Sequence, residues 1–120
     1  METKDLLLRN WQDTDAEPLY KMCLDPVLRA SGIHFYDSVA DSQNTIRYWK
    51  NNKGFQVIID KRALDFVGFI NLSDMNRYDG YMELEYAIAK KYRNKGYATQ
   101  ALKRMVDYGF SEMNLLVIAA

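Results

Sequence analysis

The sequence predicts a mixed α+β domain, with a central, mostly antiparallel sheet flanked by helices. Two observations carry that prediction. Runs rich in β-branched and aromatic residues occupy positions 55–59, 66–72 and 81–89, with polar turns between them. A 3.6-residue apolar period then takes over from 96 to 112. The length of 120 residues suits one domain, spanning 1–120.

The elements follow in order. Leu6-Leu7-Leu8, cut off by Arg9-Asn10, reads as a first strand over 5–10. Asp13, Thr14 and Asp15 offer N-cap oxygens, and Glu17 and Pro18 fall in the next turn, predicting a helix over 14–24. Asp25-Pro26 ends it. Residues 25–38 mix Pro26, Gly32, His34, Phe35 and Tyr36, which suits an irregular loop or a short helix. A second helix is expected over 39–53, capped by Asp41 or Ser42, with Ile46 and Trp49 on one face. Asn51-Asn52-Lys53-Gly54 stops it. The three strand-like runs come next, with a turn at Asp79-Gly80, and read as an antiparallel meander. In the last helix Ala98, Ala101, Leu102, Met105 and Tyr108 share one face. Leu115 to Ala120 is expected as a buried-type strand. As the final element it leaves an apolar edge that invites pairing with a second chain, so a homodimer through this strand is an expectation.

Composition narrows the function. Apolar residues make up 48% and charged residues 27%, which excludes disorder and collagen-like repeats. Lys plus Arg and Asp plus Glu both number 16, so the basic excess of a general nucleic-acid binder is missing. The single cysteine, Cys23, makes neither an internal disulfide nor a multi-thiolate metal site. It is expected to be buried and inert. The N-terminus lacks a signal-peptide layout, and no apolar run approaches the ~18 residues of a membrane span. A soluble, cytoplasmic protein without metal is the expectation.

The stretch from Glu83 to Leu102 carries the chemistry. It joins a strand to a helix through a basic, glycine-containing loop. A helix N-terminus offers unpaired N–H groups and the positive end of the dipole, which suits an anion. Gly96 lets backbone approach a phosphate, and Ala98 is small for the same reason. Lys90, Lys91, Arg93 and Lys95 are expected to surround the spot with positive charge. Neither the Walker pattern nor the Gly-x-Gly-x-x-Gly fingerprint is present. Glu83 and Glu85 are two residues apart on the predicted strand, so they share a face. A carboxylate there suits a general base, and a solvated strand face is the bland alternative.

Arg93-Asn94-Lys95-Gly96-Tyr97-Ala98 resembles the Arg/Gln-x-x-Gly-x-Gly/Ala signature of the GNAT acyltransferases. Tyr92 to Leu102, and the opening Leu6-Leu7-Leu8-Arg9 with Asp13-Thr14-Asp15, are similar to the RimJ/RimL branch. The resemblance runs over 5–120 and implies the GNAT fold. It also implies acetyl-CoA as donor and a primary amine, on a peptide N-terminus or a small molecule, as acceptor. It puts the pyrophosphate on Arg93, Asn94, Lys95, Gly96, Tyr97 and Ala98, with Thr99 beside them. The pantetheine arm would lie along Tyr86, Ala87 and Ile88, and a backbone N–H near Ile88 would hold the developing oxyanion. The family's frequent acid position matches Glu83, while Glu85 falls where many relatives carry a small residue. Gln100 replaces an acid common in the branch, a change expected to be without consequence. Family domains continue past the fifth strand with a helix and two strands, and that helix often supplies a tyrosine acid. The chain is therefore expected to lack that part of the fold, and a non-catalytic CoA-binding or dimerising fragment is the alternative.

Overall fold

A computed structural model describes residues 1–73 and 80–119. Five strands form one sheet in the order β1-β2-β3-β4-β5. They are β1 (Leu6–Asn10), β2 (Phe55–Asp60), β3 (Phe66–Ser73), β4 (Tyr81–Ile88) and β5 (Val117–Ala119). The first four pair antiparallel, as the meander requires, and β5 joins β4 in parallel. The helices are α1 (Ala16–Met22), α2 (Pro26–Ala30), α3 (Val39–Trp49) and α4 (Tyr97–Ser111).

Side chains alternate across the sheet and build a core on each face. One face packs Leu8, Ile58, Ile70, Leu84 and Ile88 against Ala101 and Met105 of α4. The other packs Val57, Phe69 and Ala87 against Leu19, Cys23 and Ile46 of the α1–α3 layer. Ser42, expected as a cap, is instead buried and donates its hydroxyl to the Ala16 carbonyl at 2.7 Å. The cap of α3 is Ser38, which accepts the Asp41 N–H at 3.2 Å. Asp15 also serves tertiary structure. It pairs with Arg9 at 2.8 Å and accepts the Gln12 N–H at 2.8 Å, fixing the entry to α1.

Two features of β3 set the position of β4. Ile58 pairs with Gly68 and Ile59 with Phe66, so Val67 is an extra residue, a bulge. Its carbonyl accepts the Ala89 N–H at 2.7 Å. Gly68 lies so close to β4 that a Cβ there would sit 2.0 Å from the Ala87 carbonyl oxygen. Only glycine permits this approach.

The C-terminal strand differs from its prediction. It covers Val117–Ala119 and lies at the sheet edge. Leu115 reaches the core, while Leu116 is 78% exposed and Val117 is 48% exposed. Ala120 and Asp79 lie outside the described residues. Among the described residues no helix is long and apolar enough to cross a membrane, and no cluster of His, Cys, Asp and Glu could hold a metal ion.

Candidate active site

The end of β4, the loop that follows and the start of α4 form one side of a cavity of about 600 Å³. Leu84, Glu85, Tyr86, Ala87 and Ile88 line it from the strand, and Arg93, Asn94, Gly96, Tyr97 and Ala98 from the loop and helix. Of the site residues singled out in the sequence, Glu83, Lys90, Lys91, Lys95 and Thr99 do not line it. Lys95 borders a separate, charged depression with Lys4, Arg62 and Lys91.

Strand pairing opens the edge of β4 toward this cavity. Ala89 bonds to β3, so by alternation Ala87 and Glu85 direct their backbone groups to β3. The backbone groups of Leu84, Tyr86 and Ile88 face the other way. The pairing of β4 with β5 reaches Glu83 opposite Ala119. Beyond Glu83, no strand covers that edge among the described residues.

The loop is locally shaped for its turn. Asn94 and Gly96 adopt left-handed backbone, with φ of 64° and 76°. Gly96 is the N-cap of α4, and a Cβ built on it would meet no atom within 4 Å. Packing does not demand glycine here, whereas the backbone angle favours it and the space in front stays open. The amides that follow open a 15-residue helix, whose first N–H groups have no carbonyl one turn back. Two tyrosines anchor this loop to the turn between β2 and β3. Tyr92 donates to Asp65, and Tyr97 donates to Asp60 at 2.8 Å. The bond to Asp65 pushes the Tyr92 hydroxyl up to about 12. Gln100 clamps the first turn of α4 to the N-terminal segment. Its amide donates to Asp5 at 2.7 Å and its carbonyl oxygen accepts the Thr3 hydroxyl at 2.7 Å. The expectation that Gln100 is without consequence is thus corrected, because an acid would lose the donor.

The four cations are not equivalent, contrary to the expected ring of charge. Lys91 pairs with Asp65 at 3.5 Å, a contact between exposed groups. Arg93 turns inward, where its Nε donates to the Ile88 carbonyl at 3.0 Å and its Nη2 lies 2.8 Å from Asp25. Lys90 and Lys95 form no ion pair among the described residues.

The carboxylates share a face, as their spacing predicts. Glu83 pairs with Ser73 and Glu85 with Asn71 across the ladder, and Ala87 follows on the same face against the α1–α3 layer. Glu85 is exposed as a residue toward the cavity, yet burial pushes its carboxyl above its ordinary 4.5. It lies close enough to Cys23 and Tyr36 for its charge to act on both. Burial, with the Glu85 charge second, pushes the Cys23 thiol up to about 11.

The opposite wall comes from α2 and the turn after it, through Val27, Leu28, Ser31, Gly32 and Ile33. Sequence reasoning missed this wall. The available signal was Asp25-Pro26, read as a helix stop. Asp is also a good N-cap and Pro a good first helical residue. Here Asp25 accepts the Val27 N–H at 2.9 Å and starts α2.

The five-stranded mixed sheet flanked by helices, open at β4 past Glu83, is the fold of the GNAT acetyltransferases. The chain belongs to the acetyltransferase (GNAT) domain family, which it matches over residues 5–120. Members of this family take their acetyl group from acetyl-CoA. It is 26% identical over 125 residues to the uncharacterized N-acetyltransferase p20 of Bacillus licheniformis, covering 98% of this chain and 70% of that protein. It is 27% identical over 127 residues to the uncharacterized N-acetyltransferase YoaA of Bacillus subtilis, covering 100% and 71%. The fold resembles that of a GNAT-family acetyltransferase from Bacillus anthracis, with a TM-score of 0.86 at 24% identity over 98% of this chain and 70% of that one. It also resembles spermidine N-acetyltransferase from Vibrio cholerae, solved in complex with CoA and spermine. There the TM-score is 0.81 at 20% identity, over 97% and 70% of the two chains.

Proposed function

We propose that this chain binds acetyl-CoA along β4 and the α4 N-terminus and transfers the acetyl group to a primary amine, as in the RimJ/RimL branch. The carrying observation is the cavity that runs from the open edge of β4 to the uncovered Gly96. Arg93 to Ala98 would hold the pyrophosphate, and Thr99 would stand at the rim. Tyr86, Ala87 and Ile88 would hold the pantetheine arm, with the outward backbone groups of Tyr86 and Ile88 left for its polar groups. Bound acetyl-CoA supplies an activated thioester carbonyl. The Ile88 N–H, turned from β3, is available to the negative charge that develops on that carbonyl oxygen.

Glu85 is the better candidate base. It lines the cavity, while Glu83 sits one pleat earlier, about 6.6 Å along the strand, and outside the lining. A carboxyl raised by burial is better matched to taking a proton from an alkylammonium than an ordinary one. The amine nitrogen, freed of that proton, attacks the carbonyl; the C–S bond breaks, the acylated nitrogen releases its second proton, and the departing thiolate takes up a proton from solvent. The relatives named N-acetyltransferase support an amine acceptor, on a peptide N-terminus or a small molecule. A single buried thiol agrees with a reducing, cytoplasmic setting.

The test is calorimetric titration of acetyl-CoA into the chain, with Gly96→Glu as control, followed by thiol release with a panel of amines. Saturable binding lost in the control, and turnover with at least one amine, are expected. Binding without thiol release from any amine would leave the second reading, a non-catalytic CoA-binding module. The exposed Leu116 and Val117 on the edge strand favour its dimerising form. A monomer by light scattering would refute that form.

A further inference from the structure

The two walls of the cavity are joined by one partly buried ion pair. Arg93 Nη2 and Asp25 Oδ2 lie 2.8 Å apart, with side chains 26% and 17% exposed. Both atoms are buried, and neither has an aligned hydrogen-bond partner. The contact is a close ion pair, and Arg93 adds to the Val27 N–H in holding the Asp25 carboxyl below its ordinary value. Each residue is fixed at its other end. Arg93 Nε holds the Ile88 carbonyl at 3.0 Å, on the open edge of β4. Asp25 Oδ1 holds the Val27 N–H at 2.9 Å, at the N-cap of α2.

The consequence is a continuous chain of polar contacts. It runs from the last carbonyl of β4, through Arg93 and Asp25, to the first turn of the helix that forms the facing wall. Arg93 is also the first residue of the loop that carries Gly96. An anion arriving at that loop competes with Asp25 for the same positive charge. A partly buried pair feels such competition more than an exposed one, because water and salt screen it less. Lys90 also acts on Asp25, so the carboxylate keeps a positive neighbour when Arg93 turns.

We propose that Asp25 is a positioning residue that acts through Arg93, coupling occupancy of the phosphate-binding loop to the placement of the α2 wall. The inference rests on the reading of the loop as a CoA site. A ligand on one wall thereby sets the wall that an acceptor would meet. The coupling depends on the charge of Asp25 and not on its cap. Asn and Ser at this position keep an oxygen for the Val27 N–H and remove the charge that faces Arg93.

The experiment is amide hydrogen exchange at residues 27–33, with and without CoA, in the unaltered protein, Asp25→Asn, Asp25→Ser and Asp25→Glu. CoA binding is measured in each by calorimetry. In the unaltered protein CoA is expected to change exchange at these amides by about fivefold or more. Asp25→Asn and Asp25→Ser are expected to bind CoA and lose that response, while Asp25→Glu retains it. Either uncharged variant suffices if the other does not fold. A merely structural role would lower stability in the variants without uncoupling the α2 amides from CoA. An undiminished response in a folded, CoA-binding uncharged variant overturns the proposal. So does CoA binding without any change at 27–33 in the unaltered protein. Absence of CoA binding in the unaltered protein overturns the loop assignment itself, and the coupling with it.

Discussion

Substitution of Gly96 separates the cost of the backbone turn from the cost of blocking a ligand. An alanine Cβ at this position would meet nothing within 4 Å, so no packing is disturbed. The cost in stability comes from φ of 76°. For a non-glycine residue that conformation costs about 1–2 kcal/mol. For a chain of this size each kcal/mol lowers Tm by roughly 3–6 °C, so Gly96→Ala is expected to melt roughly 3–12 °C lower. Asparagine tolerates the left-handed region, as Asn94 does two residues earlier with φ of 64°. Gly96→Asn is therefore expected to stay close to the parent in Tm. Its side chain nevertheless fills the space through which a pyrophosphate would approach the α4 amides. Both variants should lose at least ~1.4 kcal/mol of acetyl-CoA binding, a tenfold rise in Kd. Thermal melts and calorimetric titration read the two effects independently. A Gly96→Asn protein that binds acetyl-CoA as tightly as the parent would refute the idea that glycine is there for ligand clearance.

Gly68→Ala is expected to behave in the opposite way. Its Cβ would fall 2.0 Å from the Ala87 carbonyl oxygen, backbone against backbone. Forcing β3 and β4 apart should cost about 1–3 kcal/mol for overpacking and about 1 kcal/mol for a strained ladder bond. A urea midpoint indistinguishable from the parent's would contradict this close approach. Glu85→Gln should lower kcat about 100-fold with acetyl-CoA affinity retained, and Glu83→Gln should lower it less. Because a base works only when deprotonated, kcat/KM of the parent should fall as pH drops through the raised Glu85 value, at a pH above 4.5. An acid limb unchanged by Glu85→Gln would exclude Glu85 as its source. Three carboxylates lie below their ordinary 3.8: Asp25 through the Val27 N–H, Asp60 through the Ala63 N–H and Asp65 through the Tyr92 hydroxyl. The unfolded chain takes up their protons first. Their stabilisation is therefore full above about pH 3.8 and lost as pH falls through the folded values. Denaturation midpoints measured from pH 6 down to about 2 should trace that loss, and Asp60→Asn should reduce it. Cys23, buried with its thiol pushed up to about 11, should react with a disulfide reagent at pH 8 only on the timescale of unfolding. Rapid labelling of the folded chain would count against its burial.

Sheet and helices were legible because period and burial agree along most of the chain. The runs at 55–59, 66–72 and 81–89 became β2, β3 and β4 with ends shifted by one residue at most. The helix expected over 96–112 became Tyr97–Ser111, with Gly96 as its cap. The last strand was less legible. Leu115 to Ala120 is apolar throughout, so the sequence carries no alternation to say which residues face inward. The structure buries Leu115 and exposes Leu116. The parallel pairing of β5 was equally invisible, since it depends on where α4 returns the chain.

At the site, the donor side was legible and the facing wall was not, for a physical reason. A phosphate-type loop is written locally, in Gly96, Ala98 and the helix period that follows. The wall is built from a five-residue helix too short to show a period. Its start, Asp25-Pro26, has the same letters as a stop. The charges carry the same lesson. Lys90, Lys91, Arg93 and Lys95 look alike as a sequence run, yet Arg93 is committed by a carboxylate 68 positions away in the chain. Nothing in the local pattern around either residue encodes that distance. The sequence nearest the loop therefore overstates the positive charge available to a pyrophosphate. Backbone amides at the start of α4 must supply most of the attraction, and binding should depend on loop geometry more than on charge count. Lys90→Ala is thus expected to weaken acetyl-CoA less than Gly96→Asn does, although only the lysine change removes a charge.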